Sequence, residues 1–365
     1  MSQEHLIVTE VSPKYEYDSR TMSLPPREIP LGAIRFNSDS QKLEYWMGSA
    51  WMQVITTASA PIGGRMLVQQ GGISPYNKID YLNMTTEGQA VNFGDTSKNF
   101  YECAACGNRT RAVFAGGTYG SDNDVMEFVT IATTGNAQDF GDMTQSNNPG
   151  GGGGDQTRGI ITGGASPAND QIQFFNMLSK GNASDFGADQ PFSGAYAGAF
   201  SSPTRTVMFG GRQSPYTAQN SIWFVTTQTT GIVNDFGDYT NQQYGGTGVF
   251  NAAGASSPTR GIIAGGYINS YPAGNNTNQM EFVTIATTGN SVDFGDLTTA
   301  QQMSKGAASS IRGFFAKDSP SLLTSGNHAV DSVIFTSLGN ATHFSDLNFQ
   351  SGSGMSTSNA HGGLG

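Results

Sequence analysis

The residues able to do chemistry are few, and their spacing limits what they could do. Cys103 and Cys106 form a lone Cys-x-x-Cys pair. A zinc site needs two further ligands, and the four histidines, His5, His328, His343 and His361, lie far off in sequence. The pair therefore reads as two small buried side chains, since a free cysteine behaves as a small hydrophobe. The glycine run Gly150–Gly154 lacks the Gly-Lys-Ser/Thr ending of a phosphate loop and reads as a connection. No Ser-His-Asp set or paired carboxylates can be assembled. Acidic residues recur once per repeat, which is a packing pattern, and no repeat shows the break in symmetry that an active site makes. The expectation is a binding or structural protein, not an enzyme, with no cofactor and no metal.

One charged residue recurs in register: Arg65, Arg111, Arg158, Arg205, Arg260 and Arg312. Six such groups could form a ring for an anionic ligand. They could equally tie neighbouring repeats together through backbone carbonyls or carboxylates such as Asp139, because the guanidinium carries five donors in a rigid fork. The second reading is preferred, since regular repetition with matching acids indicates satisfied pairs.

These residues are positioned by a repeat. Residues 126–136 and 280–290 are the same eleven letters, Met-Glu-Phe-Val-Thr-Ile-Ala-Thr-Thr-Gly-Asn. A Phe-Gly-Asp element marks the copies through Phe93, Phe140, Phe186, Phe236, Phe294 and Phe344. The third copy has Ala188 for the Asp and the sixth has Ser345 for the Gly. Diglycines at 71–72, 116–117, 163–164, 210–211 and 265–266 mark the end of another strand, with Lys317-Asp318 in that place in the sixth copy. Each unit divides into four short strands. Gly194–Phe200 exemplifies the first, Ser-Ser-Pro-Thr at 201–204 the turn to the second, and Thr-Thr-Gly-Asn the hairpin between third and fourth. Four strands repeated six times at this length is the signature of propeller blades.

The strand ending in Gly-Gly, followed by a loop and two aromatic-bearing strands, resembles the kelch family over residues 61–365. The resemblance implies an all-β fold, a six-bladed kelch-like β-propeller. The family's Tyr and Trp positions are assigned to Phe128, Phe174, Phe224, Phe282 and Phe335, with Tyr81 in the first unit, and to the Phe of Phe-Gly-Asp. The wording Val-Thr-Ile-Ala-Thr-Thr-Gly-Asn and Asp-Phe-Gly-Asp is similar to repeats in virion structural proteins of marine, cyanophage-type bacteriophages. It implies a tail fibre or appendage subunit displayed on the particle, made in the host cytoplasm. Within that class a capsid or tail component without a receptor role is the alternative, and outside it a cellular kelch-like lectin.

Residues 1–60 do not repeat. Residues 1–30, with Pro13, Pro25, Pro26 and Pro30, read as an extended arm, and 31–51 as a small β element of the kind found in phage fibres. This segment is expected to attach the chain to other virion proteins. Ring closure is expected from residues 354–363 as the first strand of blade one, in competition with Ser59-Ala60-Pro61.

The 2–3 loops, at 73–78, 118–125, 165–171, 212–221, 267–279 and 319–332, differ in length and should share one face. Variable loops on a rigid scaffold are where recognition sits. Tyr216, Tyr267, Tyr271, Asn275 and Asn276 supply aromatic faces beside amides, suited to a host-surface glycan or receptor.

Composition agrees with this reading. Of 365 residues 49 are glycine, 36% are apolar and only 13% charged, so the core is spread thinly over small sheets. A net charge of −10 repels phosphate, which argues against nucleic acid. No apolar run approaches the roughly 20 residues of a membrane helix, so no membrane insertion is expected. The start of the chain lacks the basic and apolar regions of a signal peptide. A homo-oligomer is expected.

Overall fold

The computed structural model describes residues 6–11, 29–37, 42–56, 64–71, 77–119, 121–165, 168–192, 194–213, 217–240, 247–268, 275–302, 305–317, 328–349 and 354–365. The chain divides into two compact units, Met1–Ile62 and Gly63–Gly365, two residues beyond the expected boundary.

The first unit is a four-stranded antiparallel sheet of β1 (Leu6–Val11), β2 (Ile34–Asn37), β3 (Lys42–Trp46) and β4 (Trp51–Thr56), in the order β1-β4-β3-β2. The expected arm is therefore partly a strand. Leu-Ile-Val-Thr-Glu-Val is a β-branched run, and pairing with β4 outweighs the prolines that follow it. On one face Glu44 is fully buried, paired with Arg35 at 2.8 Å and accepting from the Asn37 amide at 2.9 Å. The Arg35 guanidinium also lies 4.2 Å from the centre of the Trp51 ring.

The second unit is a ring of four-stranded antiparallel sheets. Blade two is the pattern: Ala104–Gly107, Arg111–Ala115, Val125–Thr130 and Gln138–Asp142, hydrogen-bonded in chain order. Blades three to six begin at Gly152, Gly198, Ala253 and Lys305. Blade one takes Arg65–Gln69, Lys78–Asn83 and Val91–Asp95, and its first strand is Ser356–Ser358 from the far end of the sequence. Ser356 pairs with Val68 and Ser358 with Met66, as ring closure by residues 354–363 requires. Ser59–Pro61 lies outside the described residues. The first strand of each blade lies beside those of its two neighbours, so six sheets surround one axis. Among the described residues no helix is long and apolar enough to cross a membrane.

Each junction between blades has its own apolar core. Between blades one and two, Leu67, Ile79 and Phe93 meet Ala105, Ala112, Phe114 and Val129, all buried. Small residues line the axis because the strands there are crowded. A Cβ at Gly254 would lie 2.4 Å from the Ala199 carbonyl oxygen, and one at Gly306 would lie 2.1 Å from that of Gly254.

The two sequence signatures meet across four of the six junctions. The Gly135 N–H of blade two donates to the Phe93 carbonyl of blade one at 2.8 Å, and Asn136 Oδ1 accepts the Asp95 N–H at 3.0 Å. Gly181-Asn182 holds Phe140-Gly-Asp142 in the same way, Gly289-Asn290 holds Phe236-Gly-Asp238, and Gly339-Asn340 holds Phe294-Gly-Asp296. The hairpin turn of one blade is thus a clasp on the fourth strand of the blade before it. The middle glycine of Phe-Gly-Asp is required by this approach, since a Cβ at Gly141 would lie 2.5 Å from the Gly181 carbonyl.

Buried acids of the third strands complete four of the junctions. Glu127, Glu281, Asp331 and Asp80 accept backbone N–H groups from Ser97, Thr240, Thr298 and Asn348, which follow the fourth strand of the preceding blade.

Blade six corrects one assignment. Phe282 pairs with Ile262, and the residue pairing with the equivalent Phe314 is Ser332, not Phe335. Phe335 instead follows the third strand, at the place of Ile285. The aromatic has moved one strand inwards: Phe314 meets Phe344 edge-on at 4.9 Å, where Phe282 meets Phe294 at 6.1 Å.

Gly141→Ala should therefore destabilise the fold by about 1–3 kcal/mol, the usual range for overpacking. Urea unfolding of the variant measures it, and an unchanged midpoint would show that the turn gives way freely.

Candidate functional site

The two ends of the axis differ. The second strand of each blade runs away from the recurrent arginine, so all six arginines stand at the end bearing the 1–2 and 3–4 turns. The 2–3 loops and the approaches to the first strands are at the other end.

At the arginine end the side chains are half-buried. Arg65 donates to the Ile131 carbonyl, Arg111 to Met177, Arg158 to Thr227 and Arg205 to Ile285, at 2.8 to 3.1 Å. Arg260 bonds the Phe335 carbonyl. Each acceptor ends the third strand of the next blade. The same guanidiniums lie over Tyr81, Phe128, Phe174, Phe224 and Phe282 of their own blades, 4.3 to 5.1 Å from the ring centres. Arg312 holds the matching register opposite Ile334, and its N–H donates to Ser309. Of the two alternatives for a latch, these bonds go to backbone carbonyls, and Asp139 is exposed.

This end of the axis is covered by the last residues of the chain. His361 accepts the Gly363 N–H at Nδ1 and donates from Nε2 to the Gly107 carbonyl at 2.7 Å. Burial holds its imidazole below the ordinary histidine pKa, against the Gly107 carbonyl and the charge of Asp155. The 3-10 turn Gly362–Leu364 follows, so close to the carbonyls of Gly154, Ser201 and Ser257 that a Cβ at Gly362 or Gly363 would clash. Arg109 donates to the Leu364 carbonyl at 3.0 Å.

At the loop end the axis opens into a cavity of about 70 Å³ with walls of Gly, Ala and Cys103. Three of its lining residues, Glu102, Tyr196 and Asn251, have φ of 56°, 63° and 55°. Left-handed backbone is costly for residues with a Cβ, and it persists at binding and catalytic sites. Each of the three immediately precedes the residue leading into a first strand, in blades two, four and five. Tyr196 OH donates to Glu102 Oε2 at 3.3 Å, and the Asn148 amide donates to the same oxygen at 3.3 Å. Burial raises the Glu102 carboxyl above the usual carboxylate range, opposed by Tyr196, Asn148 and the Arg212 charge.

An aromatic ridge runs from this mouth over blades four and five. Tyr196 faces Phe250 at 6.3 Å, and Phe250 faces Tyr267 at 5.1 Å. Arg212 lies over Tyr196 at 4.7 Å. The ridge is ordered by added pairing above the blade: Val249–Phe250 pairs with Tyr267–Ile268, which pairs with Asn275 and Asn276. Phe250, Tyr267 and Asn276 are side by side in that register. Tyr267 is half-buried by its neighbours, Asn276 is half-buried and Asn275 is exposed. Tyr216 and Tyr271 lie outside the described residues. Sequence reasoning missed Glu102, Tyr196, Asn251 and Arg212. The available signal was the departure from symmetry just ahead of the first strands.

Cys103 lines the axial cavity, and Cys106 is paired with Val113. Both are buried, which pushes each thiol up to about 12. Among the described residues no group of three or more His, Cys, Asp or Glu could hold a metal ion.

A closed ring of four-stranded blades with diglycine-ended second strands defines the class of protein: a kelch-like β-propeller. No protein-family profile matches the chain, and no curated protein does. Among solved structures it is similar to that of YjhT, with a TM-score of 0.55 and 10% identity, covering 71% of this chain and 88% of that one. At that identity the likeness speaks for the fold alone.

Two outcomes follow from this geometry. Arg205→Met leaves the Ile285 carbonyl without its donor and should cost about 1–3 kcal/mol in urea unfolding. If the midpoint does not move, the arginines are not latches. Glu102 is the opposite case. Because its folded pKa is raised, its contribution to stability is complete below the ordinary value, about pH 4, and is lost as pH rises through the folded value. Glu102→Gln should therefore raise the melting temperature at neutral pH, with the gain shrinking in acid. A gain that is constant with pH would contradict the shift.

Proposed function

We propose that this protein is a bacteriophage virion component, a tail fibre or appendage subunit that presents its propeller for attachment to the host surface. The observation that carries the reading is the repeat wording itself, Val-Thr-Ile-Ala-Thr-Thr-Gly-Asn with Asp-Phe-Gly-Asp, which resembles repeats of marine phage virion proteins. The geometry supports it in two ways. First, the repeated residues are spent on holding blades together, as a structural part of a particle needs. Second, the departures from repetition gather at the loop end, where an aromatic ridge, amides and a small cavity can bind. The N-terminal sheet is the attachment element in this reading. It carries exposed Ile34, Phe36 and Leu43 on the face opposite Glu44, an apolar surface of the kind protein partners cover. The chain acts by binding and not by catalysis, as part of a homo-oligomer, with host glycan or receptor as its target and no nucleic acid.

Mass spectrometry of purified particles tests the first part, and absence of the chain from them would end the virion reading. Shortening residues 212–221 and 267–279 to the length of the first loop tests the second part. Adsorption of assembled particles to host cells should fall sharply. Normal adsorption by a folded variant would leave a purely structural role.

A further inference from the structure

The cavity at the loop end has the chemistry of a specific ligand. Its polar groups are a carboxyl, a phenol and amides. Glu102 stands at the mouth beside Tyr196, Asn251 lines it, and Asn148 bonds Glu102 from behind. Three neighbouring non-glycine residues are held in left-handed backbone around the same opening, which fixes their side chains before any ligand arrives.

Size and charge narrow the choice. A cavity of about 70 Å³ has room for about five waters. That admits the edge of one small ring but not a chain. A second compartment of about 40 Å³ shares Gly152, Ala199, Gly254, Gly306 and Ser356 with the first and ends at His361 beneath the C-terminal turn. The opening is therefore a well and not a passage. An anionic ligand would meet the Glu102 carboxylate in a chain of net charge −10. The raised carboxyl can donate when protonated and accept when ionised, while the phenol and amides do both. Mixed donors and acceptors over a short depth fit the vicinal hydroxyls of a neutral sugar.

We infer that the axial well binds the terminal residue of a neutral oligosaccharide end-on, with Glu102 as its principal polar contact and the following sugar units lying towards Tyr267, Asn275 and Asn276. This rests on the surface-glycan reading above and names the site and ligand class within it. Phe250 is buried and supports this path from beneath, the half-buried Tyr267 offers ring area at low entropic cost, and Asn276 stands in register beside it to bond hydroxyls.

The test is saturation-transfer NMR on the purified full chain with a panel of neutral methyl glycosides and short neutral oligosaccharides. Acidic sugars serve as controls. At least one neutral sugar should bind, and longer ones of the same series should bind more tightly. Glu102→Ala and Asn251→Ala should each weaken binding about tenfold or more, the loss expected for a hydrogen bond to a charged or buried group. Glu102→Gln, which keeps an acceptor and the fold, should retain most of it. Thermal unfolding of each variant separates a lost site from a lost fold. Neutral-sugar binding that all three folded variants leave unchanged would overturn the well as the site and leave glycan binding by the loops intact. Preference for acidic sugars would overturn the ligand class. No sugar signal at all, with particles still adsorbing through the loops, would overturn the inference while sparing the virion reading.

Discussion

The structure depends on a single recurrent contact, the grip of a Gly-Asn turn on the Phe-Gly-Asp strand of the blade before it. A four-stranded blade is too small to bury both of its faces, so its stability is borrowed from its neighbours. The apolar cores lie between blades for that reason. Apolar contact alone does not fix register, because sheet faces slide. The clasp does. It brings two backbones so close that only glycine fits, and it locks them with the Asn side chain. The arginine at the same end repeats the idea, reaching one carbonyl of the next blade across the ring face of its own.

The exceptions follow from the same contact. At the junction of blades three and four, Ala188 replaces the Asp and Ile232 stands where blades two, three, five and six have Asn. The two losses go together, and the glycine there is no longer crowded, with Gly231 Cα 3.7 Å from a Cβ at Gly187. Trp223 takes the place of the buried acid and packs edge-on against Phe192 at 5.5 Å. At the junction of blades six and one, Ser345 replaces the glycine and its hydroxyl bonds the Gly88 carbonyl. The most worn copies are thus those whose partner changed as well.

The architecture was legible in the sequence because its contacts are periodic. Glycine pairs, Phe-Gly-Asp and Thr-Gly-Asn each mark a position that most blades fill alike. The shift of the aromatic from Ser332 to Phe314 was not legible, since only strand register shows which residue faces Phe344. Nor was the strand Leu6–Val11, whose partner is more than forty residues away and whose neighbours are prolines. The mouth of the axis escaped for a different reason. Glu102, Tyr196 and Asn251 hold one position of the repeat but share no residue type there, and what unites them is a backbone angle that side-chain letters do not announce.

The uniform and the individual parts of the blades therefore occupy opposite ends of one axis. The turn end is uniform, latched and covered by the chain's own last residues, and the loop end carries what is individual to each blade. The strand that joins the two ends of the propeller has a cost in time. The side chain of Asn359 accepts the Arg65 N–H across 294 residues of sequence. During synthesis three strands of blade one are made before the other five blades and wait with an open edge until Ser356–Ser358 follows. Such an edge is a template for any other strand nearby. A nascent chain of this design is thus most exposed to mispairing just before its closing strand is made.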